Sequence, residues 1–107
     1  NLLRRLKQGG KKIIGYGAPA KGNTLLNYCW IDNNILDFIT DTTPLKQGLY
    51  TPGTHISVVS PEKIKEVNPD YILLLAWNYA EAILEKEKDL REKGIKFIIP
   101  VPRIKVI

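Results

Sequence analysis

Two glycines and an acid carry the clearest chemical signal in this chain. Gly15-Tyr16-Gly17-Ala18-Pro19-Ala20 fits the pattern G-x-G-x-x-G/A, and Asp41 follows 21 residues after Ala20. In that pattern the first glycine makes a tight turn, and the second lets the backbone approach a pyrophosphate. The third small residue lets helix and strand pack closely. Backbone N–H groups at the start of the following helix then favour the anion. The acid at the end of the next strand accepts hydrogen bonds from a ribose hydroxyl. The plain alternatives are a strand-to-helix turn that merely needs glycine, and an Asp41 that only ends a strand.

The same stretch nearly matches a second phosphate loop. Gly17-Ala18-Pro19-Ala20-Lys21-Gly22-Asn23-Thr24 follows G-x-x-x-x-G-K-[ST] except that Asn23 stands in place of the lysine. Without that ammonium the β- and γ-phosphates lose their charge partner, which excludes ATP hydrolysis of that kind. His55 is the only histidine, and no set of acids or cysteines stands at metal-ligand spacing around it. A loop histidine bound to a phosphate or a carbonyl fits it better than a general base. Cys29 reads as a small buried hydrophobe. Trp77 either stacks on a base or sugar or fills the core, and Asn78 with Glu81 reads as a capping box. No serine–histidine–acid set and no carboxylate pair stands out. The residues describe a binding domain without visible reaction chemistry.

These residues must be positioned by alternating strands and helices. Residues 11–16 form a short apolar run and a first strand, and 23–30 carry Leu25, Leu26 and Cys29 at helical spacing. A second strand spans 35–40. Residues 42–55, with Pro44, Gly48, Pro52 and Gly53, read as a long loop. A third strand covers 56–59, and Ser60-Pro61 supplies an N-cap and first-turn proline for a helix ending near Asn68-Pro69. Residues 71–76 are apolar on both faces, as a central parallel strand requires. A charged amphipathic helix covers 79–93 and stops at Gly94; 96–100 form the fifth strand, and 104–107 an added edge. The pattern predicts an α/β, Rossmann-like, doubly wound domain: a mostly parallel sheet of about five strands with helices on both faces.

A chain of 107 residues fits one domain, and its 44% hydrophobic and 25% charged residues belong to an ordinary globule. A single cysteine allows no internal disulfide and agrees with a cytoplasmic setting. No apolar run is long enough to span a membrane, and no signal peptide opens the chain. The absence of methionine and the opening Asn1-Leu2-Leu3-Arg4-Arg5 read as a fragment of a longer protein. A net charge of +5 favours anionic ligands. The basic residues are scattered and not interleaved with aromatics, which argues against nucleic acid.

Three stretches together resemble a known family. They are Tyr16 to Cys29, then Pro44-Leu45-Lys46-Gln47-Gly48 with Tyr50-Thr51-Pro52-Gly53-Thr54-His55-Ile56, then Trp77-Asn78. Over nearly its whole length the chain is similar to the C-terminal domain of the S-adenosylmethionine-dependent C-methyltransferases that act on nucleotide-activated deoxysugars. The resemblance implies an absent zinc-binding N-terminal part and an absent central domain holding the methyl donor and the catalytic base. This fragment, inactive alone, would help hold a nucleotide-diphospho-sugar, typically a thymidine-diphosphate sugar, against that central domain. Residues 17–24 would face the ligand. Lys46, Tyr50, Thr54 and His55 would lie on a closing loop, with Trp77 and Asn78 on a neighbouring strand end. Trp30 and Leu49 depart from the family's habit, which favours a smaller and a basic residue there. Two other expectations compete: a regulatory module for NAD or coenzyme A, and a Rossmann shape without a ligand.

Overall fold

The computed structural model describes residues 2–17, 31–41, 47–51, 54–100 and 104–107. Helix α1 (Leu2–Gln8) precedes strand β1 (Ile13–Tyr16), which is buried along its whole length. Two short strands follow, β2 (Ile39–Thr40) and β3 (Val58–Val59), then helix α2 (Lys63–Val67) and strand β4 (Tyr71–Leu74). A 3-10 turn at Trp77–Tyr79 leads into α3 (Ala80–Lys86) and α4 (Lys88–Glu92). Strands β5 (Lys96–Ile99) and β6 (Lys105–Val106) complete a six-stranded sheet in the order β3-β2-β1-β4-β5-β6. All pairs are parallel except β5–β6.

Strand alternation divides the core into two layers. Ile13, Ile39, Leu73 and Ile98 join Leu3 of α1 on one face. Ile14, Ile72, Leu74 and Phe97 join Ile64 of α2, Ile83 of α3 and Leu90 of α4 on the other. Consecutive strand side chains point to opposite faces, so a run such as Ile72-Leu73-Leu74-Leu75 feeds both layers. At roughly 25 cal/mol per Å² of apolar surface, each such buried aliphatic side chain stabilises by about 1.5–3 kcal/mol. The predicted doubly wound α/β class is the observed one, with six strands where about five were expected.

Several boundaries differ from the sequence-based expectation, each for a local reason. The second strand is shorter than 35–40, because Ile35 and Leu36 N–H groups both donate to the Asp32 carbonyl, closing a turn. Residues 42–55 are not all loop: Gly48 and Val58, and Thr51 and Ile56, are joined by backbone bonds, and Tyr50 bridges Ser57 antiparallel. A hairpin therefore adds to the β3 edge. Ser60 caps a turn rather than the helix itself, accepting from the Glu62 N–H at 3.4 Å, while α2 begins at Lys63. It ends as expected at Asn68, whose φ of 53° closes the helix in the left-handed region. The helix over 79–93 is interrupted at Glu87, where ψ turns to 26°. Asn78 and Glu81 form no capping box; neither the 3-10 turn nor α3 has a side-chain cap bond. The expected helix over 23–30 lies outside the described residues.

Candidate functional site

The chain leaves β1 toward β2 and β3, then returns to place β4 on the other side of β1. Strand order thus reverses between β1 and β4. In open α/β sheets the crevice beyond the carboxyl ends of the strands at such a reversal is where ligands bind. A cleft of about 290 Å³ lies there. Strand β1 contributes Tyr16 and Gly17 at its end, and β2 contributes Thr40 and Asp41. Pro61, Ala76, Ala82 and Ile83 make its apolar walls, and Tyr79 and Lys86 complete it.

The two glycines of the motif do different work from each other. Gly15 lies inside β1, and a Cβ built on it would meet Ile39 Cγ1 at 2.8 Å and Leu75 Cδ1 at 3.1 Å. It is therefore a packing glycine beneath the site, not the turn. The turn comes at Gly17, whose φ is +82°, a region that side-chain-bearing residues rarely adopt. Its N–H is already spent on the Thr40 carbonyl, at 2.7 Å. Any backbone donor to a phosphate must therefore come from beyond Gly17. Ala18, Pro19, Ala20, Lys21, Gly22, Asn23 and Thr24 lie outside the described residues, as do Lys46 and Gly53.

Tyr16 anchors the wall of the cleft. The residue is 8% exposed, and its hydroxyl donates to the Glu87 carboxylate, the residue at which the long helix breaks. Burial first, then the Glu87 charge and this hydrogen bond, push the phenol up from 10.0 to about 12. Tyr16 thus stays protonated and serves as a fixed donor. Thr40 is buried and its hydroxyl points at the Gly15 carbonyl, 3.5 Å away. Gln47 Nε2 donates to the Asp41 carbonyl at 2.9 Å, tying the base of the hairpin to the end of β2.

The remaining predicted residues are dispersed. Thr54 is buried, its hydroxyl paired with that of Thr51, which also accepts from the Ile56 N–H at 2.9 Å. This pair locks the hairpin turn. His55 sits in the left-handed region at φ 57°, its ring stacked on Tyr50 with centroids 4.5 Å apart. His55 precedes Val59, the last residue of β3, by four positions. Parallel β3 runs toward the cleft, so its preceding turn holds His55 toward the amino edge of the sheet, away from the cleft. The structure therefore brings Gly17 and Asp41 together and does not bring Thr54 and His55 to them. Trp77 is half-buried and Asn78 exposed, and neither lines the cleft. Tyr79, two residues on, takes that place. Its exposed aromatic ring directly after the carboxyl end of a central strand was the available sequence signal. Lys86 was hidden among the many cations of a charged helix.

Among the described residues no group of three His, Cys, Asp or Glu side chains stands close enough to hold a metal ion. No helix there is long and apolar enough to cross a membrane. Among the described residues the site offers shape and a turn after β1, but no reactive pair.

Comparison with known proteins agrees with the resemblance seen in the motifs. The chain is 47% identical over 106 residues, 99% of its length, to the C-methyltransferase NovU of Streptomyces niveus. It spans about a quarter of the length of that relative, 25%. Residues 1–102 match the family described as the C-methyltransferase C-terminal domain. A match over nearly the whole chain, on a doubly wound fold with its cleft at the strand-order reversal, makes this protein a member of the C-methyltransferase C-terminal domain family.

Proposed function

We propose that this domain holds a nucleotide-diphospho-sugar, a thymidine-diphosphate deoxysugar by preference, for a methyl transfer carried out elsewhere in a longer protein. The observation that carries the proposal is the cleft where β1, β2 and β4 end, in a chain of this family. At about 290 Å³ the cleft stands at the small end of ligand pockets.

In this reading Gly17 opens the turn that faces the diphosphate, and residues 18–24 supply its backbone donors. Asp41 stands at the β2 end, beside the ribose. Lys46 and Gly53 belong to the same proposed surface. Tyr50, Thr54 and His55, on the hairpin, stand apart from this surface, and in this reading Trp77 and Asn78 support Tyr79. S-adenosylmethionine would supply the methyl group, and zinc would serve a separate part of the full protein. The described residues of this chain do not form a metal site. The chain's own contribution is to bind and orient the sugar nucleotide, with no proton transfer of its own.

Calorimetric titration with thymidine-diphosphate-glucose, NAD and S-adenosylmethionine tests this. Heat from the sugar nucleotide alone, lost in Gly17→Val and weakened in Lys46→Ala, is the expected result. Valine at φ +82° cannot hold the turn without strain. Binding of NAD alone overturns the proposal in favour of a dinucleotide module.

A further inference from the structure

Two residues of the cleft belong to none of the stretches that carry the family resemblance, and their chemistry is complementary. Tyr79 is the most exposed large hydrophobic side chain among the described residues, at 68%. It sits at the lip of the cleft, on the 3-10 turn directly after the carboxyl end of β4. Solvent exposure of a whole phenol ring leaves apolar surface uncovered, and no ring or cation stacks on it within the described structure. Lys86 lies about two turns further on, at the end of α3, and it also lines the cleft. No ion pair engages it among the described residues. It is the only cation among the described lining residues.

The walls between these two residues are small and apolar: Ala76, Ala82 and Pro61, with Ile83 behind. Pockets that orient a flat ring have this composition, apolar walls with a few placed polar groups. A purely anionic ligand would leave those walls unused. A purely apolar ligand would leave Lys86 unused. A nucleoside diphosphate uses both halves. Its base is planar and stacks, and its diphosphate meets an ammonium as a point charge.

We propose that Tyr79 is the stacking surface for the base of the nucleoside diphosphate, and that Lys86 is the cation that meets its diphosphate. The inference rests on the sugar-nucleotide reading above and names its specificity-determining contacts. Both residues are exposed, so the substitutions leave the core untouched.

The test uses the 107-residue chain with three probes: thymidine 5′-diphosphate, thymidine, and inorganic pyrophosphate. Tyr79→Ala is expected to weaken thymidine diphosphate by about tenfold, the size of one lost stacking contact, while leaving pyrophosphate unchanged. Tyr79→Phe keeps the ring and restores binding, which separates stacking from a hydroxyl contact. Lys86→Gln is expected to weaken thymidine diphosphate and pyrophosphate roughly three- to tenfold, and thymidine not at all. Wild-type binding with Tyr79→Ala and Lys86→Gln both unaffected overturns this inference and leaves the sugar-nucleotide reading standing. Equal losses for all three probes would mark a merely structural role and also overturn it. Failure of the wild type to bind thymidine diphosphate overturns both.

Discussion

Replacing Tyr16 by phenylalanine removes one oxygen atom and tests how the wall of the cleft is held. The phenol is buried and donates to Glu87, and its pKa is pushed up to about 12 from 10.0. Loss of a hydrogen bond to a charged partner costs about 1.5–3 kcal/mol; Glu87 is half-buried and regains some water, so about 1–2 kcal/mol is expected near pH 8. The pH dependence has a definite sign. Between pH 10 and about 12 the unfolded phenol ionises while the folded one keeps its proton, so the native state binds more protons. Stability therefore falls as pH rises through this window, and its full value is present below pH 10. At about 1.36 kcal/mol per pH unit, two pH units amount to a loss of about 2–3 kcal/mol. Tyr16→Phe lacks this titration. Urea unfolding of both proteins from pH 8 to 12 should show wild type more stable at pH 8, with the two curves closing above pH 10 and crossing before pH 12. Lysine titration is common to both and cancels in the difference. A tyrosinate difference spectrum of wild type minus variant should place the missing phenol near 12. Parallel stability curves across pH 10–12 would refute the buried Tyr16–Glu87 bond.

Other substitutions probe the scaffold beneath the site. Gly15→Ala forces a methyl group against Ile39 and Leu75 in the middle of β1 and should lower stability by about 1–3 kcal/mol in chemical denaturation. Thr51→Val leaves the Ile56 N–H without its acceptor and Thr54 without its partner hydroxyl. A loss of about 1–3 kcal/mol is expected, with faster hydrogen exchange confined to the hairpin. Asn68→Ala places a Cβ-bearing residue without asparagine's tolerance at φ 53°, and should cost about 1 kcal/mol, whereas Asn68→Gly should be neutral or better.

Sequence alone determined the class of fold, because its evidence is periodic and local. The all-apolar run ending at Leu75 can only be a strand covered on both sides, and alternation with helices then requires a parallel sheet. Gly17 before a helix pattern and Asp41 at the end of the next strand were legible for the same reason, since each is defined by its distance from a strand end. Element ends were less legible. Asp32 closes a turn that shortens β2, and Tyr16, 71 residues before Glu87 in the chain, meets the helix where it breaks.

Only the tertiary structure decided which residues share a site. The motif suggested that Gly15 makes a turn, but the approach of Ile39 and Leu75 from neighbouring chain segments makes it a packing residue. Thr54 and His55 looked like cleft residues in sequence, yet the antiparallel pairing of 48–51 with 56–58 carries them toward the opposite edge of the sheet. Trp77 and Asn78 drew attention by type, while the turn after β4 puts Tyr79 at the lip instead. Periodicity reports which face of an element is buried. It carries no information on register between segments or on how far a turn rotates the chain. Those come from hydrogen bonds and packing between residues distant in sequence, and they are what assemble a site.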